Sequence, residues 1–261
     1  LLVREIYTPE RTKLLRDLFQ RAREGILKFI DSQPFRALSQ SEKDILRERI
    51  ERVKLELPPP ASVYADEPDL FTRNDVFYER TSEGNMRIRI GGALLFTVKS
   101  QFNLAFTLTH ELAHSIDPCE LSSQKIDISS YQSLAQCFGS PVDTIAGECT
   151  PHGKLAEIFA DWVATHVVAD ILSQYQRKFT KAQLRTATFN AVRDLCRDDD
   201  EDVSGADSGL ASSHPSVSYR VNRIFGQHPT VQKILGCSEM PGPMLPGLPS
   251  YCFWPLKREV K

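Results

Sequence analysis

The chain of 261 residues lacks the charge pattern of proteins that bind nucleic acids or anionic membranes. Its formal net charge is -2 at pH 7, and its Lys and Arg residues are scattered among Asp and Glu. A basic patch or stripe is the electrostatic feature that attracts phosphate backbones and acidic lipid headgroups. The sequence therefore gives no reason to expect nucleic acid or a membrane surface as a partner.

Long apolar runs and closely paired cysteines are also missing. No run reaches the roughly 18 apolar residues of a membrane-spanning helix. None of the six cysteines forms a C-x-x-C pair, which argues against a zinc site built from cysteines. No signal peptide is visible, but the chain begins at Leu1 rather than Met, so we expect a trimmed piece of a longer protein.

The cysteines that are present are even in number and widely spaced. Such spacing favours disulfide bonds and an extracytoplasmic, oxidising compartment, and the alternative is six reduced thiols in a cytosolic core. The six are Cys119, Cys137, Cys149, Cys196, Cys237 and Cys252.

Hydrophobic periodicity predicts a mainly helical chain with one small sheet. Thr8 and Pro9 fit the start of a first helix, and Ser39 with Glu42 has the spacing of a capping box before a second. Alternation of apolar and charged residues predicts two strands within residues 75–96, joined by a turn. Helices are predicted over residues 9–31, 42–56, 100–116, 153–176, 180–196 and 215–225.

The segment "FTLTHELAHSIDP", residues 106–118, contains the pattern H-E-x-x-H. Residues four apart share one face of a helix, so His110 and His114 can direct two imidazoles at one metal ion. Glu111 projects about 100° around the helix from His110 and can act on water without being a ligand. The apolar residues before the motif predict a buried helix, in which two histidines and a glutamate need partners. Zinc with a water molecule would provide them.

A hydrolytic zinc ion usually has three protein ligands and one open position. Glu157 and Asp161 lie four apart in an otherwise apolar helical segment, residues 152–172. We expect Glu157 to be the third ligand and Asp161 to accept a hydrogen bond from a ligand histidine, preferably His110. The alternative is a surface ion pair, but that face has no basic residue before Arg177.

The segment "SSHPSVSYRVNRIF", residues 212–225, offers two more polar candidates. His214 could stabilise a developing oxyanion, and Arg220 could hold a peptide carbonyl with its planar guanidinium. From the residues alone, an N-capping histidine and a surface arginine are the slightly simpler explanation.

Taken together, these motifs resemble the neprilysin and endothelin-converting-enzyme family of zinc peptidases, a gluzincin family. The resemblance rests on "HELAHSID", "EIFAD", "DVFY" followed by a hairpin and "GGALL", "HPSVSYRV", and the ending from Cys237 to Trp254. These blocks occur in the family's order and extend over nearly the whole chain.

The resemblance implies a thermolysin- or neprilysin-like α+β core, mainly helical, with a small antiparallel sheet whose edge strand lies beside the active-site helix. It implies one zinc ion held by His110, His114 and Glu157, with Glu111 as general base. It assigns Asp161 to orient a ligand and His214 to stabilise the oxyanion. Arg220, together with the segment Asn74, Asp75 and Val76, is assigned to the substrate backbone.

Three departures from the family pattern stand out. Asp75 occupies the position of a substrate-holding asparagine, although Asn74 is adjacent, and a carboxylate accepts but does not donate. The N-G-G that usually follows the family's aspartate is missing after Asp161. The long N-terminal half that covers the family's active site is missing too, so a separate or lost covering segment is expected, or an open cleft.

By resemblance, Cys137 pairs with Cys252, and the positions of Cys196 and Cys237 normally bridge to the missing half. Cys119 and Cys149 are not family positions, but they flank one loop and are expected to pair with each other. Residues 1–60 are expected to form a helical segment that packs on a catalytic domain of residues 61–261, in one continuous unit.

The sequence thus predicts a secreted, periplasmic or membrane-anchored zinc metalloendopeptidase. It would hydrolyse peptides on the amino side of large apolar residues, with a zinc-activated water. One alternative is a related membrane-type peptidase of the CAAX-prenyl-protease kind. A second is a zinc-stabilised module that binds peptides without cutting them, and a third is a helical domain without metal.

Overall fold

The structure is a computed structural model that describes residues 5–32, 35, 38–57, 67–97, 100–126, 153–193, 195 and 214–236. Within these ranges the chain is α+β and mainly helical, with one small mixed sheet of three strands. The helices are α1 (Pro9–Ile30), α2 (Gln40–Arg52), α3 (Leu94–Thr97), α4 (Gln101–Ala113), α5 (Pro118–Ser123), α6 (Lys154–Tyr175), α7 (Lys181–Ala191), α8 (Val217–Tyr219) and α9 (Pro229–Leu235). The strands are β1 (Lys54–Leu55), β2 (Val76–Arg80) and β3 (Met86–Ile90).

Local sequence explains where the first two helices begin. The Thr8 side chain accepts a hydrogen bond from the Arg11 amide at the start of α1, and Pro9 occupies the first turn. Ser39 and Glu42 form a reciprocal capping box at the start of α2. Both predicted starts are confirmed, but α2 ends at Arg52 rather than near residue 56.

The sheet corrects one prediction. It was expected to be antiparallel, and β2 does pair antiparallel with β3, with Tyr78 opposite Ile88. The two residues of β1, which follow directly after α2, pair parallel with β3, so the sheet is mixed in the order β1-β3-β2. A strand of two residues has no periodic pattern, which is why the sequence did not reveal it. Strand β2 is left at the edge.

Helices α4 and α6 pack against each other over the largest helix–helix contact, and α1 packs across both. Their buried side chains belong to one hydrophobic cluster that also contains residues of α2, β2 and β3. The described part of the N-terminal segment is therefore continuous with the core that carries the site. Across the described ranges, no helix combines the length and the apolar character that crossing a membrane requires.

Candidate metal centre

Helix α4 brings His110 into the interior. Almost every residue from Phe102 to Ala113 is buried, because α4 lies among α1, α6 and α7. A helix that is apolar on all sides is stable only when it is covered on all sides. His110 is consequently buried, and its ring has no direct access to bulk water to offset its polarity.

His114 lies just beyond the α-helical part of this segment. The helix α4 ends at Ala113, and His114–Ile116 form one turn of 3₁₀-helix before Asp117 begins the next helix. Asp117 is the N-cap of α5, and its carboxylate accepts hydrogen bonds from the amides of Cys119 and Glu120, both at 2.8 Å. The helical segment predicted to residue 116 is therefore present, but its last turn is a 3₁₀-helix, and a new helix starts after Asp117.

Helix α6 supplies the acidic residues. Glu157 lies in its first turn, where the helix dipole favours a negative charge, and Asp161 follows one turn later on the same face. Both carboxylates are buried, at 3% and 1% exposure, so the surface ion-pair alternative is excluded.

Three donor groups from the two helices converge. His110 Nε2 lies 3.2 Å from His114 Nε2 and 3.0 Å from Glu157 Oε2. His114 Nε2 lies 3.5 Å from Glu157 Oε1, and suitable atoms of all three residues lie within 4.8 Å of one another. Within the described ranges this is the one group of histidines, cysteines and carboxylates with such a spacing.

Further carboxylates orient both histidines. His110 Nδ1 lies 2.9 Å from Asp161 Oδ1, and His114 Nδ1 lies 3.5 Å from Asp117 Oδ2. Carboxylates in this position fix the tautomer that leaves Nε2 as the donor to a metal ion. The expected contact between His110 and Asp161 is present.

Arg220 completes this arrangement from the opposite side of Asp161. Its Nε and Nη2 atoms donate to the two oxygens of Asp161 at 2.7 and 3.0 Å, and the guanidinium is only 4% exposed. The sequence predicted Arg220 at the site but not this contact. Binding of a substrate backbone by Arg220 stays a prediction.

The electrostatic environment favours positive charge at the cluster. Burial alone would lower the pKa of His110, but the carboxylates of Asp161 and Glu157 outweigh it and raise that pKa to about 10. Burial would raise the pKa of Glu157, whereas hydrogen bonds from His110 and His214 hold it well below its usual value. Burial would also raise the pKa of Asp161, but Arg220 and His110 outweigh burial and lower that pKa.

The donor set fits a single divalent metal ion. Two imidazole nitrogens and one carboxylate, all buried and each supported by a further polar group, are a usual ligand set of catalytic zinc. The excess of carboxylates around His110 would be offset by a dication. His110, His114 and Glu157 are therefore residues that could hold a metal ion, whose identity the geometry leaves open.

Glu111 lies beside the cluster without being part of it. Its Oε1 is 4.0 Å from His110 Nε2, and its Oε2 accepts a hydrogen bond from the backbone amide of Tyr78 at 2.8 Å. Backbone groups of successive residues in β2 point alternately towards β3 and away from it. Asp75 O bonds inward to Gly91 N, so the amide of Tyr78, three residues later, points to the outer edge. The edge strand thus contacts α4, the helix that carries His110 and Glu111.

His214 also reaches the cluster. Its Nε2 is 3.1 Å from Glu157 Oε2, and its side chain is 44% exposed. Because His110, His114 and Glu157 are buried and His214 is not, His214 lies on the solvent side of the group. The sequence assigned it to the site on weaker grounds than the other histidines.

The predicted substrate-binding segment is less closely connected to the cluster. Asn74 Oδ1 accepts a hydrogen bond from the Thr97 hydroxyl, and Asp75 forms an ion pair with Arg73 at 2.8 Å. Val76 is buried and pairs with Ile90 in the sheet. Among described residues, no hydrogen bond or ion pair joins Asn74 or Asp75 to the ligand cluster.

The predicted disulfides fall mostly on undescribed parts of the chain. Cys119 is fully buried. Cys137, Cys149 and Cys252 lie outside the described residues, as do Cys196 and Cys237. The individual pairings therefore stay predictions.

Two contacts beside the site were not predicted from the sequence: the Tyr78 amide bonds to Glu111, and Arg49 Nε donates to the carbonyl oxygen of Ser115, next to His114. A backbone amide leaves no signal in a sequence. Arg49 did leave one, because it lies between Leu46 and Ile50 on the apolar face of α2, where an arginine is unusual.

Comparison of the chain with protein-family models, with curated proteins and with solved structures finds no match. The chemistry of the site itself is therefore what indicates a function.

Proposed function

We propose that the protein is a zinc-dependent metallopeptidase of the neprilysin-like type suggested by its motifs. The observation that carries the proposal is the convergence of His110, His114 and Glu157 within 4.8 Å, with the Glu111 carboxylate directly beside them. These residues would hold a zinc ion, which would act as a Lewis acid by polarising a carbonyl oxygen and lowering the pKa of water.

Glu111 acts as the general base. Its Oε2 is occupied by the Tyr78 amide, which leaves Oε1, the oxygen nearer to His110, to accept a proton from the attacking water. The same oxygen then passes the proton to the leaving amine. The hydrogen bond from Tyr78 orients the carboxylate, so that the base does not have to be ordered during each turnover.

The edge strand β2 binds the substrate as an added strand. The outward backbone groups of Val76 and the carbonyl of Tyr78 lie on the side of β2 that faces α4, where the Tyr78 amide already bonds to Glu111, and β3 occupies the other side. An extended peptide can pair with such an edge through its main chain, which accepts many sequences. We also propose a preference for large apolar residues after the scissile bond. This part of the proposal rests only on the family resemblance.

His214 and Arg220 have different parts in the proposal. His214 is partly exposed beside Glu157 and stabilises negative charge that develops on the carbonyl oxygen. Arg220 keeps Asp161 ionised and in place, and Asp161 in turn holds His110. A peptidase of this kind, with disulfide bonds, would work outside the cytoplasm.

The direct test is Glu111→Gln, which preserves size and removes the basic carboxylate. We expect the zinc content to stay at the wild-type level while hydrolysis of a quenched fluorescent peptide falls by about 10²- to 10⁴-fold. Glu83→Gln, the same change at an exposed position in the hairpin turn, is the matched control and should leave both values unchanged. Hydrolysis by the Glu111 variant at a rate close to wild type would refute the role of the base. Zinc binding without any hydrolysis in the wild type would favour the non-catalytic module instead.

A further inference from the structure

The position of His114 depends on a short turn between two helices. Because α4 ends at Ala113, the α-helical hydrogen-bond ladder does not continue through this ligand. The Ser115 hydroxyl bonds back to Leu112 O at 2.7 Å, and Asp117 caps the following helix. A ligand on such a turn needs outside support if it is to keep its place.

That support comes from a distant segment of the chain. Arg49 of α2 is 6% exposed, and its Nε donates a hydrogen bond to the carbonyl oxygen of Ser115, the residue after His114. Its Nη1 donates to Gln124 Oε1 at 2.9 Å, on the far side of α5. One guanidinium thus joins the turn of His114 to the end of the helix that follows it.

The buried charge of Arg49 is balanced within the same network. Glu120 Oε1 lies 3.7 Å from Arg49 Nη2 and 2.8 Å from Arg80 Nε on β2, and it also accepts a hydrogen bond from Gln124 Nε2 at 2.6 Å. Burial of a guanidinium is costly unless it is paired and hydrogen-bonded. Here Glu120 of α5 is the counterion, Ser115 O and Gln124 Oε1 accept the hydrogen bonds, and Arg80 links the network to β2.

We propose that Arg49 is a positioning residue for the metal ligand His114. The proposal rests on the metal centre that is part of the proposed function, but not on peptidase activity. Arg49 holds the carbonyl of Ser115, which fixes the backbone of the 3₁₀ turn and so the direction of the His114 ring. Loss of this contact lets the ring depart from the point that it shares with His110 and Glu157, and metal affinity falls.

The test measures zinc affinity in the folded full chain, by competition with a chromophoric chelator. Arg49→Met keeps much of the side-chain volume and should weaken zinc binding by about 10- to 100-fold, the usual effect of losing a group that orients a metal ligand. Arg23→Met is the matched control. Arg23 of α1 is partly buried and, like Arg49, donates to a backbone carbonyl, that of Val53, but among the described residues no hydrogen bond joins it to the turn of His114.

A purely structural role of Arg49 predicts a different result. In that case Arg49→Met lowers the unfolding temperature of the metal-free protein but leaves zinc affinity unchanged, and the proposal is overturned. Cobalt(II) substitution gives a second readout. Displacement of His114 changes the visible absorption bands of the bound cobalt, whereas Arg23→Met should leave the spectrum as in the wild type.

If Arg49→Met does not fold, the zinc affinity of Arg49→Lys tests the proposal instead. Lysine keeps the charge beside Glu120 but cannot bond to Ser115 O and Gln124 Oε1 together. It should therefore also bind zinc more weakly than the wild type, and wild-type affinity would contradict the proposal. Failure of the wild type itself to bind zinc would overturn both this inference and the proposed function. Tight zinc binding that is indifferent to Arg49 would overturn the inference alone.

Discussion

The carboxylate of Asp161 shows how individual residues determine this site. It accepts hydrogen bonds from His110 on one side and from Arg220 on the other, and all three side chains are buried. A buried carboxylate between two such donors both orients the histidine and neutralises the guanidinium. Neither function can be replaced by water, because the group has almost no contact with solvent.

We predict that Asp161→Asn weakens zinc binding by about 10- to 100-fold, because His110 loses the group that fixes its ring. It should also lower the free energy of unfolding by about 3–5 kcal/mol, because Arg220 is left buried without its counterion. Chelator competition and urea denaturation measure the two effects.

Asp170→Asn is the matched control for this change. Asp170 lies on the same helix but forms an exposed ion pair with Lys28 at 2.8 Å. Its loss should cost no more than about 1 kcal/mol and leave zinc affinity unchanged. Equal effects of the two substitutions would contradict the role of Asp161.

The sequence predicted most of the site at the scale of residues. The spacing of His110 and His114, and that of Glu157 and Asp161, follows from the helical repeat, so each pair could be placed on one face without a structure. Arg49 could not be connected to the turn of His114, because its contact with Ser115 O spans 66 residues and depends on tertiary packing.

At the scale of elements, the junction between α6 and α9 introduces a second pair of histidines. His228 is the N-cap of α9, and its Nδ1 accepts a hydrogen bond from the Thr230 amide. Its Nε2 therefore carries the proton and donates to His166 Nδ1 at 3.1 Å. His166 also stacks on Phe29 of α1 at a centroid distance of 4.3 Å, so three helices meet at this pair.

Both imidazoles are kept neutral by their surroundings. Burial lowers the pKa of His228 to about 4, although the nearby Asp170 acts in the opposite direction and itself pairs with Lys28. Burial and the neighbouring His228 hold the pKa of His166 well below its usual value. Histidines that are neutral in the fold but charged in the unfolded chain contribute stability above a pH of about 6.5. That contribution is lost as the pH falls from about 6.5 towards 4.

We predict that His228→Asn flattens this pH dependence. Asparagine keeps an N-cap acceptor for α9 but does not titrate. Urea denaturation at pH 7.5 and at pH 5.0 should show a smaller loss of stability in the variant than in the wild type. The difference should not exceed about 1.4 kcal/mol for each pH unit and each histidine. An unchanged pH dependence would show that the pair does not titrate as described.

Helices and strands were predicted well where the hydrophobic pattern is long, and less well where one element joins the next. The starts of α1 and α2 were correct because caps are local. The end of α2 and the strand β1 were not, because Lys54 and Leu55 are held by pairing with β3, far away in the sequence. We attribute the end of α4 at Ala113 to Asp117, which caps the next helix. Asp117 is visible in the motif "HSIDP", but the helical periodicity predicted that the helix continues to residue 116.

In the molecule as a whole, the candidate metal centre depends on the packing of α4 against α6. The two helices bring together ligands 47 residues apart, from His110 to Glu157. Sequence patterns predicted each helix and its polar face, but not the orientation in which the two faces meet. That orientation is determined by the common core, to which α1 and the sheet also contribute.

The central claim is that His110, His114 and Glu157 bind one metal ion together. The most direct measurement is X-ray absorption at the zinc edge on the chain loaded with zinc, with the zinc content determined on the same sample. We predict one zinc per chain, with two imidazole nitrogens at about 2.0–2.1 Å and a carboxylate oxygen at about 2.0–2.2 Å. Glu157→Ala should lose the carboxylate contribution and weaken binding. A spectrum with a single imidazole or with sulfur ligands, or one that Glu157→Ala leaves unchanged, would contradict the account.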